Sequence, residues 1–175
     1  GSEMCIRDSH NTDIEGFELS IKNINYDLNG KKVLLLGAGG VSPSIIVALN
    51  NMNAKKIFLS NRTLAKAENL KKIFNEVEIV KWGTMPDFDM IINATSIGLN
   101  SDDSIGIDYT KVGSGKFFYD LIYNPPETNF LKSAKQKKNK TENGKKMFIY
   151  QAQASFKIWN DLVPGIDNDV MELLN

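Results

Sequence analysis

With one cysteine and one histidine in 175 residues, the sequence lacks the side chains that several chemistries need. A lone Cys5 excludes an intrachain disulfide and a cysteine-rich zinc site, and a lone His10 excludes a histidine-clustered metal centre. No metal is therefore expected. An excess of one charge is also missing, since 21 Lys and Arg balance 21 Asp and Glu. That balance excludes a surface built throughout for nucleic acid or for an anionic membrane. Apolar runs fall far short of the roughly 20 residues that a membrane span needs. The chain does not open on a secretory signal pattern, so a cytoplasmic location is expected. What is present fits one globular domain: 42% hydrophobic and 24% charged residues, in a length within the usual roughly 100–200 per domain.

Residues 1–9 carry no periodicity and begin Gly-Ser, as a cleaved tag would, so they are set apart from a structured domain expected over 10–175. Phe17, Ile21, Ile24 and Leu28 recur at helical spacing after Asn11-Thr12-Asp13. Val33 to Leu36 is an unbroken apolar run, as in a parallel strand buried on both faces. It ends in Gly37-Ala38-Gly39-Gly40, and Pro43 suits the first turn of a helix running to Asn51. Further strands are expected at Ile57–Leu59, Val77–Val80, Met90–Asn93 and Phe117–Leu121. Further helices are expected at Leu64–Asn75 (with Thr63 as N-cap), Glu127–Lys138, Met147–Trp159 and Asn168–Leu174. This alternation predicts an α/β fold: a Rossmann-like, doubly wound parallel sheet in three α/β/α layers.

Gly37-x-Gly39-x-x-Ser42 is close to a dinucleotide fingerprint, with Ser42 where the third glycine usually stands. Gly37 would let the chain turn sharply off the strand, and Gly39 would let a pyrophosphate approach the backbone. The following helix would then direct its free N–H groups at the phosphates. A plain structural turn is the competing reading. At the end of the next strand, where an NAD site places Asp or Glu, stands Ser60-Asn61-Arg62-Thr63. A guanidinium with amide and hydroxyl donors would bind a 2′-phosphate that a carboxylate would repel. The preferred cofactor is NADP(H), although Asn61-Arg62-Thr63 could serve only to cap a helix.

These strings, with Ile92-Asn93-Ala94-Thr95-Ser96, Tyr119-Asp120-Leu121-Ile122-Tyr123-Asn124-Pro125 and Gln151 to Trp159, resemble the NADP-binding half of the shikimate dehydrogenase family. Asn11-Thr12-Asp13 resembles the signature just before that half. The resemblance implies reversible, NADPH-dependent reduction of 3-dehydroshikimate to shikimate in aromatic amino-acid biosynthesis. It implies a catalytic and substrate-binding role for Asp13, beside a lysine, and substrate contacts from Tyr123 and Gln151. It also implies cofactor contacts from Gly37, Ala38, Gly39, Gly40 and Val41, from Asn61, Arg62, Thr63 and Lys66, and from Thr95, Ser96, Leu121 and Gly144. Competing readings are an N-cap for Asp13, a core position for Tyr123 and a solvated helix position for Gln151.

The sequence departs from the family in three ways. Ile14 follows Asp13 where the signature has glycine, Ser42-Pro43 replaces a small-residue and arginine pair, and no lysine precedes Asp13. The resemblance thus implies a missing N-terminal substrate domain and a chain inactive alone. A non-catalytic NADP-binding module and an NAD-dependent quinate relative are the alternatives. Phe148, Ala152, Ser155 and Trp159 share helical spacing and are expected to be packing residues, and an apolar face left exposed nearby could drive a homodimer. The basic run Lys132, Lys135, Lys137, Lys138, Lys140, Lys145 and Lys146 is expected to be a solvated helix and loop rather than a nucleic-acid contact.

Overall fold

A computed structural model describes residues 11–100 and 102–172; the expected tag, residues 1–9, lies outside them. Six parallel strands form one sheet: β1 (Lys32–Leu36), β2 (Lys56–Ser60), β3 (Glu78–Ile79), β4 (Met90–Asn93), β5 (Phe117–Asp120) and β6 (Lys140–Glu142). Their spatial order is β3-β2-β1-β4-β5-β6, the doubly wound arrangement expected from the sequence. The helices are α1 (Thr12–Asn23), α2 (Ser42–Asn51), α3 (Leu64–Ile73), α4 (Asn129–Gln136), α5 (Lys145–Asn160) and α6 (Asn168–Glu172).

The unbroken apolar strands explain the layering. Val33 and Leu35 of β1 join Ile57, Leu59, Met90 and Ile92 in a core covered by α1, α2, α3 and Met147 of α5. Leu34 and Leu36 point the other way, with Phe58, Ile91 and Phe118, beneath Phe130 and Leu131 of α4 and Phe88. Alternate side chains of one strand therefore feed both cores. In register, Ser60, Leu36, Asn93 and Asp120 lie side by side at the carboxyl edge of the sheet.

Three expectations need correction. Lys140–Glu142 is not loop but β6, an edge strand pairing Phe117–Tyr119 of β5. The first helix stops at Asn23, although Leu28 is buried as expected. The stripe on α5 is not packing: Phe148 is 41% exposed, Trp159 is 81% exposed, and Ala152 is exposed as well. Among the described residues that face is covered only in part, by Tyr123 against Phe148 and by residues 164–170 along a groove. Met147, Ile149 and Ala154 are the buried side chains of α5 instead.

Candidate active site

The carboxyl edge of the sheet carries a cleft of about 240 Å³ beyond the ends of β1, β2 and β4, at the switch point between β1 and β4 where doubly wound sheets bind ligands. Nine residues expected at a cofactor line it: Gly37, Ala38, Gly39, Asn61, Arg62, Thr63, Lys66, Thr95 and Ser96.

Each wall has a local cause. Gly37 leaves β1 at φ +107°, and a Cβ there would sit 2.7 Å from the Ala94 carbonyl oxygen, so a side chain is excluded twice over. Nothing stands within 4 Å of a Cβ built on Gly39, so the backbone faces open space. Ser42 substitutes for the third glycine by bracing the turn: its hydroxyl donates to the Gly37 carbonyl at 3.0 Å and accepts from the Gly39 N–H at 3.1 Å. Asn61 adds a second brace, accepting from the Ala38 N–H at 3.0 Å and donating to the Thr63 carbonyl at 2.7 Å. Thr63 does occupy the N-cap of α3 but makes no side-chain capping bond. The exposed cations Arg62 and Lys66 form no salt bridge among the described residues, which leaves both available to an anion.

Gly40, Val41, Leu121 and Gly144 do not line this cleft. Gly40 and Val41 lead into α2 beside it, with Val41 at the N-cap. Leu121 and Gly144 meet each other: a Cβ on Gly144 would overlap the Leu121 carbonyl, and the Gly144 N–H donates to the Ile122 carbonyl at 3.1 Å. Sequence reasoning missed Trp82, Ala94 and Ile97, which also line the cleft. Trp82 arrives on the loop after β3, where no motif marks it.

The expected substrate residues form a second group, organised by α5. Gln151 donates from Nε2 to Oδ1 of Asp13, joining α5 to α1. Asn11, not Asp13, caps α1: its Oδ1 accepts from the Asp13 N–H at 3.0 Å, and its Nδ2 donates to the Ser44 hydroxyl at 2.9 Å. The Asp13 side chain is thereby released from capping. Gly16 permits the close approach, since a Cβ there would overlap Gln151 and lie 2.9 Å from the Met147 carbonyl oxygen. Tyr123 stacks on Phe148 at 4.8 Å, one helical turn from Gln151. Tyr123 is therefore a partly exposed surface residue and not a core one.

A buried cluster lies beneath the cleft. Asp120 is fully buried, and burial pushes its carboxyl up to about 6 against the opposing pull of hydrogen bonds from Thr128, Ile122 and Asn93.

Comparison with known proteins places this arrangement. The sequence model of the shikimate / quinate 5-dehydrogenase family matches residues 18–103. A shikimate dehydrogenase (NADP+) of Pelagibacter ubique is 59% identical over 165 residues, which is 94% of this chain and 62% of that protein. The crystal structure of shikimate dehydrogenase from Aquifex aeolicus superposes with a TM-score of 0.81 at 36% identity, covering 94% of this chain and 60% of that one. The Thermus thermophilus enzyme, solved in complex with NADP(H) and shikimate, gives a TM-score of 0.82 at 30% identity, with coverages of 94% and 61%. The chain thus spans about three-fifths of the length of the relatives that it matches. It belongs to the shikimate dehydrogenase family.

Proposed function

We propose that this chain binds NADP(H) in the cleft and forms the cofactor-holding part of a cytoplasmic shikimate dehydrogenase, reducing 3-dehydroshikimate to shikimate. The observation that carries this reading is the pairing of the Gly37–Gly39 turn with Arg62 and Lys66 across one cleft. The backbone turn takes the pyrophosphate, and the cations take the 2′-phosphate. Thr95, Ser96 and Trp82 close the opposite wall, and Leu121 and Gly144 lie toward the reacting end. When bound there, NADPH would supply the hydride for a substrate carbonyl carbon.

Asp13, held by Gln151, keeps its second oxygen for a substrate hydroxyl, and Tyr123 contacts the same substrate. The proton for the carbonyl oxygen comes from a lysine that does not precede Asp13 in this chain, within an N-terminal substrate domain that the longer relatives have room for. Alone, the chain binds cofactor and does not turn over.

Calorimetric titration tests the binding half. NADP+ should bind at least about tenfold more tightly than NAD+, and Arg62→Ala should erase that preference, as expected for the loss of a charge-assisted phosphate contact. A preference that survives Arg62→Ala would remove the argument. Shikimate-dependent reduction of NADP+ tests the other half: robust turnover by this chain alone would refute the need for a lysine from elsewhere.

A further inference from the structure

Asn93 and Asp120 sit side by side on β4 and β5, both fully buried, and neither lines the cleft. Asn93 nevertheless governs a cleft wall. Its Oδ1 accepts from the Thr95 N–H at 3.1 Å and from the Thr95 hydroxyl at 2.7 Å. The Thr95 hydroxyl oxygen in turn accepts from the Ile97 N–H at 3.1 Å. Thr95, Ser96 and Ile97 are all wall residues.

An asparagine amide has nearly the same shape either way round, so packing alone does not decide which end faces Thr95. Two acceptors decide it. Nδ2 donates to the Ile97 carbonyl at 3.0 Å and to Asp120 Oδ1 at 3.0 Å. An ionised carboxylate only accepts, so a flipped amide would set oxygen against oxygen in a buried site. Asp120 is itself anchored, accepting from the Ile122 N–H at 3.0 Å and from the Thr128 hydroxyl at 2.6 Å.

We infer that Asp120 is a positioning residue: it locks the Asn93 amide in one orientation and, through it, the Thr95–Ile97 turn that walls the dinucleotide cleft. The inference rests on the NADP(H) reading. It separates two roles for a buried acid, since a merely structural Asp120 would act on stability without passing through Asn93.

Titration of NADP+ into the full chain tests it. Asp120→Ala should weaken binding about tenfold, the effect of losing a buried charged acceptor. Asp120→Asn should stay within about threefold, because its amide oxygen can still accept from Asn93 while its NH2 turns to Thr128. In an Asn93→Ala background, Asp120→Ala should add nothing, since the path is already cut. Equal losses for the alanine and asparagine variants, or additive effects in the double variant, would overturn the inference. Should Asp120→Ala fail to fold, Asp120→Leu removes the acceptor while filling the space. If the parent chain ignores NADP+, the cofactor reading alone falls. Amide hydrogen exchange at Thr95 and Ile97 then decides the lock: protection lost in Asp120→Ala and kept in Asp120→Asn supports it, and protection unchanged in both overturns it.

Discussion

Asp120 has no basic residue among its hydrogen-bond partners, only a hydroxyl, an amide and a backbone N–H. Desolvation therefore outweighs its hydrogen bonds and lifts its carboxyl from the ordinary 3.8 to about 6. The folded state holds this proton more tightly than the unfolded chain does. Its contribution to stability is fully present below about pH 4 and is lost as pH rises through 6. A shift of this size corresponds to roughly 3 kcal/mol, and the nearby Tyr109, itself pushed up by burial and by Asp120, stays neutral throughout. Urea unfolding of parent and Asp120→Asn should therefore diverge between pH 4 and 7, the variant gaining about 2–3 kcal/mol relative to the parent. Parallel curves would refute a raised Asp120. At this scale, residues with a motif were legible in the sequence and residues acting through a fold were not. Gly37 and Arg62 declare themselves by type and spacing at strand ends. Asp120 and Trp82 do not, because their roles come from neighbours far away in the chain.

The helices α1 and α5 meet where Gly16 has no side chain. Replacing Gly16 with alanine should destabilise the fold by about 1–3 kcal/mol, the usual range for an overpacked contact. It should also break the Asp13–Gln151 hydrogen bond by spreading the helices. Chemical denaturation would show the loss, and unchanged stability would mean that the helices have slack to absorb a methyl group. The elements themselves were read with uneven success, for physical reasons. β1, β2, β4 and β5 are buried on both faces and so announce themselves as apolar runs. β6 reads Lys-Thr-Glu and lies at the edge of the sheet, so no hydrophobic pattern marks it. It holds its place by the ladder to β5 and by Lys140, whose ammonium sits 5.2 Å from the Phe117 ring centre and 5.7 Å from that of Tyr26. A residue expected to be solvated turns out to cover aromatic surface.

Seen whole, the molecule is well covered on the sheet faces and bare along the end of α5. Trp159, Leu162 and Val163 are exposed there, beside a groove of about 330 Å³ lined by Phe148, Phe156 and Ile166. We read this surface as a seat for the substrate domain proposed above, because it is apolar and exposed while the 165 residues matched to the Pelagibacter ubique relative span 62% of that protein. When these 175 residues are prepared by themselves, we expect a second copy to take that seat. Sedimentation should then show a concentration-dependent dimer that Trp159→Ser together with Leu162→Ser returns to a monomer, and a parent chain that is monomeric at every concentration would contradict this. The same end-to-end organisation bears on how the chain comes to be folded. Phe17 finds Tyr119 at 5.3 Å, Ser20 shares a 2.8 Å hydrogen bond with the Tyr119 hydroxyl, and Gly16 meets Met147 and Gln151. During synthesis α1 leaves the ribosome long before any of these partners exists, and only β1 and α2, which follow it directly, can cover part of its apolar face early. The seat of the first described helix is thus completed by the far end of the chain, and closing that long loop is the non-local, slow part of assembling the domain.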